Sequence, residues 1–280
     1  MAYNAIPAAN VAPFIPELWS VIVQKEAESE LTFANLVDRR FEPVLTYGDT
    51  LNVPIVCSMG DAQTVNPTVD LTLWDSIQAC VAIVVNYHYQ QSLGLATDEQ
   101  AQDRPDILQA FLPKCAFSVA KMIDDKLADL VNGLGKSEGT EGSALTADVL
   151  INCYTDLNLN NVPDSDRCWI FDPYSIQDLL KLDYFVRYDY VPEGVVSKGF
   201  EGRQIFGAPV YRTANLNVIN TSYHAAVYMH REALALIEQI KPRVFSFYWP
   251  EKFTNVVGVE ALFGVKEMRD TYGIWVKTRN

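Results

Sequence analysis

The chain has 280 residues, with 22 Lys and Arg against 35 Asp and Glu, a net charge of −13. That balance excludes a surface built to neutralise nucleic-acid phosphates, and an apolar content of 49% excludes a disordered composition and suffices for one large or two smaller domains. The longest uninterrupted apolar run, 79–85, falls far short of the roughly 20 residues needed to cross a bilayer. No basic stretch followed by an apolar one opens the chain, so no signal peptide is read. Five scattered cysteines (57, 80, 115, 153 and 168) form no C-x-x-C pair, which fits reduced, mostly buried thiols made in the cytosol.

Residues 1–16 carry Pro7, Pro13 and Pro16 and read as an extended arm. Pro16 suits the first turn of a helix running to about residue 37. The alternating run at 50–56 reads as a strand, 57–69 as a polar turn region, and 70–89 as a second β-rich run. Together these predict a long hairpin, and a two-stranded ribbon is marginal alone, so it needs a partner. From 41 to 103 there is no Lys or Arg, while Glu42, Asp49, Asp61, Asp70, Asp75, Asp98, Glu99 and Asp103 are acidic. This is either a solvated acidic face or a protruding element that docks on a basic surface of another subunit.

A helix start at 103–106 precedes Leu108, Phe111, Leu112, Cys115, Val119, Met122, Ile123, Leu127, Leu130 and Val131, which follow the 3.6-residue period. Pro113 should kink this helix or mark its first turn, and Gly133 and Gly135 should stop it. Residues 133–143 read as a flexible linker. Beyond it the pattern predicts a helix at 145–157, a strand at 167–171, a helix at 173–182, an irregular loop at 183–198, and a glycine-rich hairpin at 199–216. A strand at 223–229, a helix at 231–240 and strands at 244–247, 254–265 and 273–278 follow. Short helices among mostly antiparallel strands define an α+β chain without internal repeats.

No motif supplies a reaction centre or a cofactor site. Gly135-Lys136-Ser137 imitates the end of a phosphate loop, but position 130 is Leu where that loop needs Gly. The histidines, at 88, 224 and 230, have no metal-ligand spacing. His230 and Glu232 imitate the start of a deaminase motif without its downstream cysteines. Asp124 and Asp125 point about 100° apart on a helix and cannot pair as acid and base; with Lys121 to Asp125 at i,i+4 they read as helix-surface charge. Asn220 opens a glycosylation sequon that reads as chance without a signal peptide. Phe245, Phe247, Tyr248, Trp249 and Phe253 cluster near Lys241, Arg243 and Lys252. A single-strand stacking platform has this composition, but the acidic net charge favours a core or a subunit contact.

The runs YGDTLNVP at 47–54, RCWIFDP at 167–173 and GFEGRQIFGAPVYRTANL at 199–216, in this order, resemble the Hong Kong 97-type major capsid proteins of tailed bacteriophages, over nearly the whole chain. The resemblance implies an N-terminal arm and helix at 1–45, an extended E-loop hairpin at 46–92, a peripheral domain at 93–145 and 241–266 built on a long spine helix, and an axial domain at 146–240 and 267–280. It implies a shell subunit that assembles with itself as hexamers and pentamers around double-stranded DNA in the virion, with a portal at one vertex. Because the arm begins at Met1, any scaffold is expected to be a separate protein. Because the hairpin has no lysine, a lysine crosslink cannot start there, and the shell is expected to be held non-covalently by the arm, the hairpin and, where present, cement proteins. The acidic hairpin, through Asp61 and Asp70, is expected to dock on Lys114, Lys121, Lys241 or Arg243 of a neighbour. No catalytic, cofactor or metal residue is implied. An encapsulin-type nanocompartment shell shares the fold, a tail or neck protein would form rings or tubes, and a small-molecule enzyme would need a cleft with perturbed titrating groups.

Overall fold

The computed structural model describes residues 31–45, 47–56, 78–96, 107–182, 204–218 and 224–279. The expected arm, most of the helix expected at 16–37, the hairpin tip at 57–69, the helix start at 103–106, the loop at 183–198 and Gly199 and Gly202 lie outside these residues. Elements follow in chain order: α1 (Phe33–Leu36), β1 (Thr50–Val56), β2 (Gln78–Val84), β3 (Tyr87–Ala96), α2 (Ile107–Leu130), β4 (Lys136–Glu138), α3 (Ala147–Leu159), β5 (Arg167–Phe171), α4 (Pro173–Leu179), β6 (Gln204–Ile205), β7 (Ala208–Arg212), β8 (Ala225–His230), β9 (Leu234–Trp249), β10 (Thr254–Glu267) and β11 (Gly273–Lys277). They form a two-stranded ribbon β1–β2, a sheet ordered β3–β10–β9, and a six-stranded sheet ordered β4–β11–β8–β5–β7–β6.

Helix α2 joins the two larger sheets. Cys115, Val119, Ile123 and Leu127 recur every four residues and are buried, so one stripe of the helix faces inward. The stripe shares a core with Val259, Ala261 and Phe263 of β10 and with Cys168, Ile170, Val227 and Met229 of the six-stranded sheet. Tyr87, Tyr89 and Phe263 stack there, with ring centroids 5.6–6.2 Å apart. Full burial of a side chain such as Leu127 contributes about 1.5–3 kcal/mol. Pro113 is neither first turn nor terminus; it lies inside α2, six residues past its start.

The other face of the six-stranded sheet is covered by α3 and α4. Leu150, Cys153 and Leu157 of α3 and Leu179 of α4 pack on Trp169, Phe171, Ala226 and Tyr228. Trp169 stacks on Tyr228 at 4.0 Å and on Phe171 at 5.3 Å. Every residue of β5 is buried, as a strand covered on both faces requires. Asp172 then stops the strand and caps α4 by accepting from the Tyr174 amide at 3.1 Å, with Pro173 at the first helical position.

Several expectations are corrected. Residues 231–240 are not a helix: a three-residue 3-10 turn, Arg231–Ala233, leads directly into β9. Leu234 and Leu236 join the core beneath α2, whereas Ala235 and Ile237 join a third cluster with Leu45, Ile83 and Val85, so this apolar run is a strand buried on both sides. The presumed linker at 133–143 contains β4, which pairs in parallel with β11 and is tied down by Lys136 to Asp156 at 2.5 Å. Gly139 (φ +83°) lies against the Lys277 carbonyl, where a Cβ would collide. The run at 70–89 divides at Val85: β2 pairs with β1 from Thr50–Val84 to Val56–Gln78, while β3 crosses to β10 and extends to Ala96.

Asp124 is likewise not surface charge. It is fully buried and accepts from the Thr32 amide (3.4 Å), the Ala34 amide (3.2 Å) and Asn215 Nδ2 (3.4 Å). It thereby caps α1 from 90 residues away, where Thr32 makes no side-chain cap of its own. Burial pushes its carboxyl above the ordinary aspartate range, and these hydrogen bonds oppose the shift without cancelling it.

Candidate subunit-contact surfaces

The ribbon β1–β2 is rooted in the body, with one face exposed at Thr50, Asn52, Pro54, Cys80, Ala82 and Val84 and the other half-buried at Leu51, Val53, Ile55 and Val81. At its root, Val85 donates to the Asp49 carbonyl at 2.8 Å, Gln239 Nε2 donates to the Gly48 carbonyl at 2.9 Å, and Leu51, Val53 and Ile83 pack with Ala235 and Ile237. Gly264 of β10 allows the close approach: a Cβ there would meet the Val84 carbonyl oxygen at 2.5 Å. Tyr47 stands 88% exposed beside the root. Asp61 and Asp70, the expected docking carboxylates, lie outside the described residues.

A second projecting element is the far end of β9 and β10. β9 is buried from Leu234 to Ile237 and exposed over most of 241–249. Val244, Phe247, Tyr248, Trp249 and Phe253 are exposed there. Phe245 stacks on Phe247 at 6.1 Å, and Lys252 Nζ lies 4.5 Å from the Trp249 ring centroid. These aromatics are therefore not the core that one sequence reading allowed; they wrap an unburied strand end.

Four expected basic partners lie on two elements. On α2, Lys121 is exposed and Lys114 half-buried, two helical turns apart on one face. On β9, Lys241 reaches Glu42 at 3.9 Å, and Arg243 pairs with Glu260 at 2.7 Å. Glu260 also meets His88 at 3.2 Å, and hydrogen bonds from Arg243 and His88 hold its carboxyl below the usual range. Lys241 and Arg243 thus lie beside the exposed aromatics, where the pairing of β9 with β10 shifts register. The sequence missed Ile151, Leu159 and Phe206, which are also exposed.

The remaining polar chemistry is structural. Arg167 donates to the Pro163 carbonyl, to Asn158 and to Tyr228, and fixes the loop before β5. Burial pushes the Cys153 and Cys168 thiols up to about 12, which makes them inert at neutral pH. Among the described residues no group of three or more His, Cys, Asp or Glu is placed to hold a metal ion. No helix among them is long and apolar enough to cross a membrane.

No known protein family and no curated protein matches the sequence. Solved structures do. A chain from Mycobacterium phage Che8 superposes with a TM-score of 0.80 at 21% identity, covering 98% of each chain. The capsid of cyanophage P-SCSP1u gives 0.80 at 14% identity over 99% of each. The capsid of a native GTA particle, computed with C5 symmetry, gives 0.72 at 12% identity over 100% of each. The chain has the α+β Hong Kong 97-type capsid fold that the order of its sequence motifs implied.

Proposed function

We propose that this protein is a major capsid protein: hexamers and pentamers of it build the icosahedral shell of a virion around double-stranded DNA, and its role is structural rather than catalytic. The observation that carries the reading is end-to-end coverage of capsid chains at a TM-score of 0.80, in both directions. Two exposed elements support it. The β1–β2 ribbon and the aromatic end of β9 and β10 are costly in a lone monomer and become stabilising when a neighbour covers them. In this reading 46–92 is the E-loop, 1–45 the arm and its helix, 93–145 and 241–266 the peripheral domain, and the rest the axial domain. The acidic ribbon of one copy lies against Lys114, Lys121, Lys241 or Arg243 of the next. A portal fills one vertex.

Negative-stain electron microscopy and sedimentation of the purified chain, alone and with a co-expressed scaffold, test the proposal. Closed shells or capsomers are expected. A monomer in both cases, at every salt and protein concentration, overturns it. Reversing Lys241 and Arg243 to Glu should weaken assembly and reduce its salt dependence; assembly indifferent to that change removes them as ribbon partners.

A further inference from the structure

Residues 31–45 and 47–48 contain little regular structure: the four-residue helix α1, and one isolated parallel bridge between Asp38 and Ala235 of β9. The segment is nevertheless fixed at three places, each time to a different part of the body. At its start, Phe33 and Val37 share the core with the buried stripe of α2, and Asp124 accepts from the Thr32 and Ala34 amides.

The middle is held by backbone and by charge. The Asp38 amide donates to the Leu234 carbonyl, and the Leu236 amide donates to the Asp38 carbonyl, each at 3.0 Å. The Asp38 carboxylate, 4% exposed, is held by Arg40 Nη2 at 2.7 Å, and the same nitrogen reaches Glu232 at 2.8 Å. Arg39 Nη2 reaches the buried Glu238 carboxylate at 2.7 Å, and Arg231 Nε donates to the Val37 carbonyl at 3.3 Å. At the far end, Leu45 is buried with Ile83, Val85, Ala235 and Ile237. The Gly48 carbonyl accepts there from Gln239, next to the bond from Val85 to Asp49 that roots the ribbon.

The partners of the middle therefore fall within 231–238, and Gln239 follows directly. This is the turn before β9 and the first residues of that strand. Leu234 and Leu236 serve the core beneath α2, while Ala235 and Ile237 serve the ribbon root. β9 is the outer strand of its sheet, and Asp38 closes its outer edge at that point. The three anchors thus converge on one short stretch of strand. A segment held by the body rather than by its own hydrogen bonds opens as a unit, because freeing one anchor removes the constraint that keeps its neighbours in place.

We propose that residues 31–48 act as a strap: they open and close together, and they couple the chain entering at Thr32 to the ribbon β1–β2. Whatever engages the residues before Thr32 then biases the ribbon, and whatever engages the ribbon biases the entering chain, with the strap as the two-state element between them. The inference concerns the single chain and stands or falls apart from the shell reading.

Arg40 is the place to cut. Its side chain is 65% exposed, so truncation opens no cavity in the core, but it leaves the buried Asp38 carboxylate without the cation that pairs with it. Native-state hydrogen exchange of the full chain, read at single amides, is the test. Arg40→Ala should speed exchange at least tenfold at both ends: at the Ala34 amide, bonded to Asp124, and at the Val85 amide, bonded to the Asp49 carbonyl. Gln239→Ala, which cuts only the ribbon end, should raise both rates as well. The amides of β8, in the six-stranded sheet, should keep their wild-type rates in both variants. A rise confined to amides beside each substitution, or no rise at either end, overturns the strap, because the anchors then open independently. A rise that extends equally to β8 overturns it too, because 31–48 then opens only with the whole chain. Sedimentation of the same variants reads shell assembly separately.

Discussion

Asp124→Ala isolates the one buried carboxylate that ties the segment before α1 to α2. The substitution removes the acceptor for the Thr32 amide and Asn215 Nδ2, both buried, and for the half-buried Ala34 amide. Each buried donor left unpaired costs about 1–3 kcal/mol. Two such donors give about 2–6 kcal/mol, offset in part because a desolvated charge disappears. A loss of about 3 kcal/mol at pH 7 is expected, read from urea unfolding of the wild type and variant. The pH dependence has a definite sign. The folded carboxyl lies above its ordinary value, so the folded state binds the proton more tightly than the unfolded chain. Its contribution is fully present below pH 3.8 and is lost as pH rises through the folded value. The gap between wild type and variant should therefore be widest near pH 4 and narrow toward pH 7. A gap that widens with pH would mean that the three hydrogen bonds outweigh burial, and a loss below about 1 kcal/mol at every pH would refute the accounting of donors.

Gly264→Val forces a side chain against the Val84 carbonyl and the Val85 Cα, which a Cβ would meet at 2.5 and 2.9 Å. Overpacking of this kind costs about 1–3 kcal/mol, and faster hydrogen exchange at the Val85 amide should accompany the lower urea midpoint. Leu127→Ala empties the centre of the core that joins the two larger sheets; a loss of about 2–5 kcal/mol by thermal unfolding is expected. In the native protein at pH 8, a thiol reagent should label the exposed Cys80 and leave Cys153 and Cys168 untouched, because burial holds both thiols at about 12. Mass spectrometry of the labelled peptides reads this directly, and rapid labelling of Cys168 would refute the burial.

The elements legible in the sequence are those in which local pattern and tertiary environment agree. The stripe from Cys115 to Val131 has helical period, and the structure buries it. β5 was readable to its exact bounds because five consecutive apolar or aliphatic-stemmed residues precede an Asp-Pro helix start. β9 was misread because Ala233–Gln239 is rich in good helix formers; the partner that overrides them, β10, pairs Leu234 with Glu267, 33 residues away. β4 was hidden among glycines for the same reason, since it exists only through β11. Asp124 could have been found: it shares a helix face with Leu127, Ala128 and Val131, all buried, and a carboxylate within an apolar stripe requires internal donors. The exposed side chains of Ile151, Leu159 and Phe206 left no comparable signal, because isolated apolar residues between polar ones are ordinary at a surface.

The proposed ribbon contact and the strap both use charge, and salt separates them. Contacts between the acidic ribbon and Lys241 or Arg243 join exposed charges. Such contacts are screened over about 10 Å at 0.1 M salt and about 3 Å at 1 M, so they weaken as salt rises. The strap pairs Arg40 and Arg39 with the buried carboxylates of Asp38 and Glu238, and buried pairs are screened much less. Each ribbon contact alone is modest, but every copy makes several, and closure multiplies them. Assemblies transferred to 1 M sodium chloride should therefore release subunits in which the Val85 amide stays as protected as in low salt. Sedimentation velocity reads the release, and hydrogen exchange reads the strap. Assemblies indifferent to 1 M salt would mean that charge pairs do not hold the ribbon to its neighbour. Faster exchange at Val85 in the released subunits would mean that the strap is held by charges that salt can reach, and that burial of Asp38 and Glu238 does not protect it.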